Sequence, residues 1–341
     1  MPSSTLTAAD LGTDTVLDLL ERDDPEGVLS IFADGTLDAR AAEIDLRNRL
    51  AELERRVGTD FAGLLPELPA QGRGRALFVP LSGAEPTRVV TQLRLPNRVV
   101  LDERPFVHPL LECIERGRPA GVVLLASDRA ELLEWRHGTL LVLAQLRLDE
   151  DEPRPAERRV HDRRRRFADE IAAAVRDLAD RKSWERLLVS GGALALPKPL
   201  SERVIHDPRQ LIDLSAAEVE RAIAERLDDV RAEHDRRLVE RVLESGAALG
   251  LSEVAAALNE ARVAHLLYDP AVRHAGAMTP GGRLVIPPER DPLGEPLQPE
   301  PRLTERMVER CLATGARISP VQGAAAAQLA DAGGVAARLR W

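Results

Sequence analysis

The chain has 341 residues, which exceeds one ordinary hydrophobic core and predicts two or three domains. Its 44% hydrophobic and 30% charged residues indicate a globular protein, and the lack of a signal-peptide pattern or a bilayer-length apolar run predicts a cytoplasmic one. The net charge of −9 excludes a protein that coats nucleic acid through a broad basic surface, so any RNA contact must be local.

The first third of the chain predicts strands alternating with helices. The β-branched apolar run from Gly27 to Asp34 predicts a strand, and apolar residues at helical spacing from Asp38 to Val57 predict a helix. Arg73 to Pro80 predicts a second strand, and the alternating stretches RVVTQLRL and NRVVLDE predict a third and a fourth. The stretch PLLECIERG predicts a short helix that ends at Gly117.

The middle of the chain predicts a meander and then two helices. Ala120 to Leu148 is typical of an antiparallel meander with a turn at Arg136 to Gly138. A helix follows, then a strand in WERLLVSGGALAL, and then a long helix for which Ser215 and Glu218 have the spacing of a capping box. The apolar residues that give the first of these helices one buried face are Val160, Phe167, Ile171, Val175 and Leu178.

The last hundred residues alternate helix and strand, which predicts a mostly parallel or mixed sheet covered by helices. A Pro/Gly-rich insertion from Arg273 to Pro301 interrupts this order. Because it is long for a loop, we expect it to be functional, mobile or both.

Three stretches, in this order, resemble the archaeo-eukaryotic class I peptide chain release factor and Pelota family. They are VLSIFAD with the following RNRLAELE, then GVVLLASDRAELLEWRHG, and finally GARISPV followed by LADAGGVAARLRW. The resemblance is closest to the bacterial, actinobacterial-type branch that includes the hibernation factor Balon.

The resemblance implies an α/β protein of three domains. Residues 1–118 would form an N-terminal release-factor-like domain, and residues 119–240 a middle domain similar to ribonuclease H. Residues 241–341, which contain the insertion, would form a C-terminal α/β/α domain similar to ribosomal proteins that bind kink-turn RNA.

The sequence departs from the family at the catalytic loop. Release factors carry a Gly-Gly-Gln loop in the middle domain, whose glutamine positions the attacking water. Here the corresponding connection reads LRLDEDEPRPAER, and none of the Gly-Gly pairs at Gly191, Gly281 and Gly333 precedes a glutamine. We therefore assign no catalytic residue. Gln145, just before this connection, is the substitute that a displaced hydrolytic mechanism would use.

An arginine cluster opens the helix that follows this connection. Its position in the family implies contact with tRNA or rRNA phosphates. The alternative is a solvated helix face on which Glu157, Asp162 and Asp169 pair with the arginines. The cluster consists of Arg158, Arg159, Arg163, Arg164, Arg165 and Arg166.

Other chemistry has little support in the sequence. Cys113 and Cys311 are far apart and form no CxxC motif, so we expect two buried thiols and no disulfide or zinc site. The acidic run Asp149 to Glu152 could bind magnesium, but four carboxylates in a loop are more often solvated. We expect neither a metal nor a cofactor.

The first functional hypothesis is a ribosome-associated protein that occupies the A site without hydrolysing peptidyl-tRNA, in hibernation, rescue or recycling. The alternatives are a peptidyl-tRNA hydrolase with a non-standard residue, and an interaction protein that keeps the fold without binding ribosomes. The expected partners are rRNA and tRNA, with an elongation factor such as EF-Tu as a further candidate. We expect a monomer that does not bind membranes.

Overall fold

The fold is α/β, as predicted. A computed structural model describes residues 5–148, 157–192, 194–197, 204–288 and 290–341, without the side chains of residues 39, 62 and 157–160. No helix in these ranges combines the length and apolar character needed to cross a bilayer.

Helices and strands alternate along the chain. The helices are α1 Thr13–Leu20, α2 Ala39–Val57, α3 His108–Arg116, α4 Glu157–Lys182, α5 Ala216–Glu244, α6 Gly250–Asn259, α7 Leu303–Ala313 and α8 Gly323–Gln328. The strands in the first half are β1 Thr5–Thr7, β2 Val28–Asp34, β3 Gly74–Pro80, β4 Thr87–Thr91, β5 Arg98–Asp102, β6 Ala120–Leu125, β7 Arg129–Arg136 and β8 Thr139–Arg147. Those in the second half are β9 Arg186–Ser190, β10 Val204–Asp207, β11 Ala248–Leu249, β12 Val263–Tyr268, β13 Gly276–Met278, β14 Leu284–Val285, β15 Gln298–Glu300, β16 Arg317–Pro320 and β17 Val335–Leu339.

The chain forms two compact units. One unit combines residues 1–115 with residues 229–341, and the other contains residues 116–228. The predicted domain boundaries near residues 118 and 240 stay a prediction.

The N-terminal sheet of the first unit has the strand order β1-β4-β3-β2-β5. Helix α2 covers one face, where Leu46 and Leu50 pack in a cluster with Leu29 and Ile31 of β2. The helix begins at the side chain of Asp38, which accepts a hydrogen bond from the N–H of Ala41 at 3.0 Å. On the opposite face, the rings of Phe32, Phe78 and Phe106 make edge-to-face contacts.

Ion pairs join the N-terminal sheet to α7 within the same unit. The Arg306 guanidinium lies 3.1 Å from Asp102 at the end of β5, 2.9 Å from Glu300 and 2.6 Å from Glu309. Burial by itself would lower the pKa of Arg306. The attraction of these three carboxylates is the larger effect, and it raises the pKa of Arg306 above its usual value. Arg302 adds a second pair with Asp102, at 2.8 Å.

The C-terminal sheet is mixed, as predicted, with the order β11-β17-β12-β16. Strand β12 is parallel to β16 and antiparallel to β17. Cys311 of α7 and Cys113 of α3 are both buried, as predicted. Burial raises the pKa of Cys311 to about 12, so this thiol stays protonated and unreactive.

The insertion from Arg273 to Pro301 contains strands that the sequence analysis did not predict. Strands β14, β13 and β15 form a small antiparallel sheet. The side chain of Asn259 binds both the N–H and the carbonyl of Leu284, at 2.9 and 2.7 Å. The insertion is therefore tied to the end of α6.

The second unit contains a sheet with the order β10-β9-β6-β7-β8. The predicted meander forms β6, β7 and β8, with a turn in which His137 and Gly138 both have positive φ. The predicted strand WERLLVSGGALAL ends early, at Ser190, because Gly191 adopts a φ of +91° and turns the chain. Strand β10, which the sequence analysis missed, pairs beside it.

Candidate nucleic-acid interface

The arginine cluster begins at one defined edge of the second unit's sheet. Strands β6, β9 and β10 are parallel, and β8 runs in the same direction because it is antiparallel to β7. Their carboxyl ends therefore share an edge. Helix α4 follows β8 and leads to the start of β9, so its first turns lie at that edge. This is the edge at which open α/β sheets bind their ligands.

A continuous apolar stripe anchors α4 to the sheet. The buried helix residues recur at the spacing of one helix face. They join a core cluster with Val123 and Leu125 of β6 and with Leu187 and Val189 of β9. The buried residues of the helix are Phe167, Ala168, Ile171, Ala172 and Val175. The orientation of the arginines is thus fixed by the packing of the helix that carries them.

The arginine turn, defined as Arg163 to Arg166, lies on the open side of this helix. Arg164, Arg165 and Arg166 are exposed and Arg163 is half-buried. None of the four forms an ion pair or side-chain hydrogen bond with any residue that the structure describes, including Asp162 and Asp169 on the same helix. The described residues therefore do not show the arginine–carboxylate pairs that would neutralise this helix face.

Several residues of the predicted site cannot be placed. The backbones of Arg158 and Arg159 belong to the first turn of α4, but their side chains lie outside the described residues. The acidic stretch Asp149 to Glu152 lies outside them altogether. The RNA-contact role of the whole cluster stays a prediction.

Other arginines of this unit, among them Arg129 and Arg209, are neutralised by carboxylates. Arg129 pairs with Asp213. Arg209 lies 2.6 Å from the buried Asp207. Burial opposes ionisation of Asp207, but the hydrogen bonds and charge of Arg209 outweigh it and hold the pKa of Asp207 below its usual value. The arginine turn differs from these pairs, since its charge is left available to a ligand.

One more arginine lies at this edge, and the sequence pattern alone did not single it out. Arg147, the last residue of β8, is exposed and opposes Arg129 in the register. It makes no ion pair with a described residue. The signal was its place at the end of an alternating strand, because the end of that strand and the start of the next helix meet at one edge.

The substitute hydrolytic residue does not lie in a loop. Gln145 is part of β8, and its amide donates a hydrogen bond to the Glu131 carboxylate of β7 at 3.0 Å. His161, next to Asp162, is exposed on α4. Among the described residues, no three His, Cys, Asp or Glu side chains come together as metal ligands. This arrangement can bind an anion by charge.

Comparison with known proteins finds a family model that is similar to the middle of the chain. Residues 105–232 match the model of bacterial archaeo-eukaryotic release factor family 10. No curated protein matches the sequence.

Solved structures show only distant likeness. The archaeal translation termination factor aRF1 is 18% identical, with 99% of each chain covered and a TM-score of 0.25. Ribosome-bound archaeal Pelota is 14% identical over 97% of this chain and 94% of its own, with a TM-score of 0.39. Dom34 of S. cerevisiae, a translation termination-like factor that interacts with Hbs1, is 12% identical over 98% and 94%, with a TM-score of 0.41.

Proposed function

We propose that this chain is a ribosome-associated, release-factor-like protein, a proposal supported by the match of residues 105–232 to the model of bacterial archaeo-eukaryotic release factor family 10. We further propose that it occupies the A site without hydrolysing peptidyl-tRNA, in ribosome hibernation, rescue or recycling. The observation that carries the proposal is the arginine turn, because four guanidinium groups without described carboxylate partners lie on a helix that the core holds in place.

The physical basis is local phosphate binding. A protein with a net charge of −9 gains little from long-range attraction to RNA, so its affinity must come from a few close contacts. Guanidinium groups bind phosphate oxygens in pairs, and each phosphate that they neutralise releases counterions. The positive end of the α4 dipole adds to the attraction for an anion at this edge.

The test is ribosome co-sedimentation of the variant R163E/R164E/R165E/R166E over a salt series. We expect the variant to stay folded, because these side chains lie off the buried stripe. We expect ribosome binding to fall at least about tenfold and to lose part of its salt dependence. The matched control is R47E/R49E/R55E/R56E on the exposed side of α2, which changes the net charge equally and should bind like the wild type.

Equal pelleting of wild type and the α4 variant at every salt concentration, with both folded, would show that the arginine turn is only a solvated surface. Equal loss in the α2 control would show that binding depends on net charge and not on this site.

The proposed lack of hydrolysis rests on the sequence, which contains no Gly-Gly-Gln. Loss of a group that positions water is expected to slow peptide release by about two orders of magnitude or more relative to a release factor that has the loop. Release of labelled peptide from loaded ribosomes measures this rate. Fast release that disappears in Gln145→Ala would instead identify a hydrolase.

A further inference from the structure

A row of three polar residues crosses the C-terminal sheet, far along the chain from the arginine turn. His265 of β12 pairs in register with Arg317 of β16 on one side and with Arg338 of β17 on the other. Directly paired residues project to the same face of a sheet. With strands about 4.8 Å apart, the Cα atoms of the two arginines are roughly 10 Å apart. We call Arg317, His265 and Arg338 the His265 row.

Both arginines of the row are exposed. Neither forms an ion pair or a side-chain hydrogen bond with a residue in the described ranges. Neighbouring arginines differ: Arg262 pairs with Glu260 at 2.6 Å, and Arg340 donates to the carbonyl oxygens of Val263 and Thr314 at 3.0 and 2.6 Å. The two charges of the row therefore lack the internal partners that the adjacent arginines have.

A hydroxyl group is held beside these two charges. The ring of His265 is buried, and its Nε2 lies 2.9 Å from the Oγ of Ser319. Ser319 is half-buried and lies two residues after Arg317, on the same face of β16. The His265 ring thus fixes a hydroxyl that retains hydrogen-bonding capacity toward solvent.

The row lies at an open end of the sheet. Strand β16 is an edge strand, and β11 pairs with β17 only at Ala336 and Ala337, so that Arg338 lies beyond it. The helices that cover this face, α5 and α8, pack around Leu267, two residues further along β12. An extended polyanion could therefore reach both arginines.

We propose that the His265 row is a second RNA-binding surface, on which Arg317 and Arg338 bind backbone phosphates and Ser319 binds a ribose 2′-hydroxyl. Identification of the RNA as ribosomal rests on the proposed function, whereas RNA binding itself does not. RNA fits better than DNA or an acidic peptide, because only RNA presents 2′-hydroxyl groups between phosphates, and these groups can both donate and accept hydrogen bonds.

The test uses the full chain and two probes. The first is a short RNA duplex, with a DNA duplex of the same sequence beside it, and the second is purified ribosomes. We compare wild type, R317E/R338E and the charge-matched control R47E/R49E, each in the presence and absence of the α4 substitutions. We expect R317E/R338E to weaken RNA duplex binding at least about tenfold and to reduce the salt slope by roughly one and a half to two, while the control leaves both unchanged.

Ser319→Ala tests the 2′-hydroxyl contact. We expect this variant to lose about fivefold in affinity for the RNA duplex and nothing for the DNA duplex, as loss of one hydrogen bond predicts. A merely structural effect of Ser319 would weaken both duplexes equally, and that outcome would overturn the 2′-hydroxyl contact.

Different experimental results would contradict RNA binding by the His265 row and the proposed ribosomal function. If R317E/R338E, shown to be folded, binds RNA duplex as the wild type does, the row is not an RNA surface, and an acidic protein becomes its candidate ligand. If the wild type binds the duplex through the row but does not sediment with ribosomes, the proposed function fails and the row stands. Loss of ribosome binding in the row variant supports both.

Discussion

A buried histidine and tyrosine connect the two chain segments of the first unit. The Nδ1 of His108, at the start of α3, lies 3.2 Å from the hydroxyl of Tyr268 at the end of β12. The His108 ring stacks on Phe106 with centroids 4.9 Å apart, and its Nε2 has no hydrogen-bond partner among the described residues. Burial, followed by the charge of Arg98, lowers the pKa of His108 to about 3.

This histidine makes the stability of the protein depend on pH. The pKa of a histidine exposed on unfolding is about 6.5, so protonation favours the unfolded state between pH 6.5 and 3. The stabilising effect is complete above pH 6.5 and declines as the pH falls. We expect a loss of about 2 kcal/mol in the free energy of unfolding between pH 7 and pH 5 from this residue.

Denaturant unfolding of wild type and His108→Gln at both pH values measures this loss. Burial raises the pKa of Glu305, which contributes with the opposite sign, but its effect is common to both proteins and cancels in the comparison. His206→Gln, at an exposed position, should keep the wild-type pH dependence. An unchanged slope in His108→Gln would mean that the buried ring does not control the pH response.

At the scale of single elements, α5 shows how local sequence sets a helix boundary. The N–H of Ser215 donates to the Glu218 carboxylate at 3.0 Å, and the N–H of Glu218 donates to the Ser215 hydroxyl at 3.4 Å. This reciprocal pair is the capping box that the sequence predicted. The orientation of α4 also follows from a local sequence pattern. Its apolar stripe packs on the sheet, and this packing places the arginine turn on the open side of the helix.

Ser215→Ala removes the acceptor for the first helical N–H groups of α5. We expect the free energy of unfolding to fall by about 1 kcal/mol. Thermal or urea denaturation followed by circular dichroism measures the change. Ser215→Asp retains an oxygen acceptor and should restore most of the stability, whereas equal stability in all three proteins would show that the cap contributes nothing.

At the scale of the whole molecule, the two units differ in how the chain builds them. The second unit is one continuous stretch, and its core cluster is formed entirely by residues of that stretch. The first unit needs both ends of the chain, because Asp102 depends on Arg302 and Arg306, and His108 on Tyr268. The units should therefore behave differently as fragments.

We expect a fragment of residues 116–244, which keeps α5 whole, to unfold cooperatively on its own. A fragment of residues 1–115 should be unstable, because it leaves the buried His108 without Tyr268 and Asp102 without Arg302 and Arg306. Calorimetry of both fragments tests this. A cooperative transition for residues 1–115 at the temperature of the full chain would contradict the division.

The α/β class and most helices and strands follow from local patterns in the sequence, and the release-factor resemblance agrees with the family model that residues 105–232 match. These features are local: periodicity placed α2 and α4, turn residues placed the hairpin at His137 and Gly138, and Ser215 with Glu218 placed the start of α5. Short elements were missed where local signals are weak, as in β10 and the strands of the insertion.

The three-dimensional structure was needed to show which arginines lack a partner among the described residues. The sequence contains 47 basic residues, and its pattern could not distinguish the paired Arg129 and Arg209 from the unpaired arginine turn. Likewise, Arg317, His265 and Arg338 are far apart in the chain and meet only through strand register. Pairing depends on distances between side chains on different elements, and these distances are set by long-range packing, which no local pattern encodes.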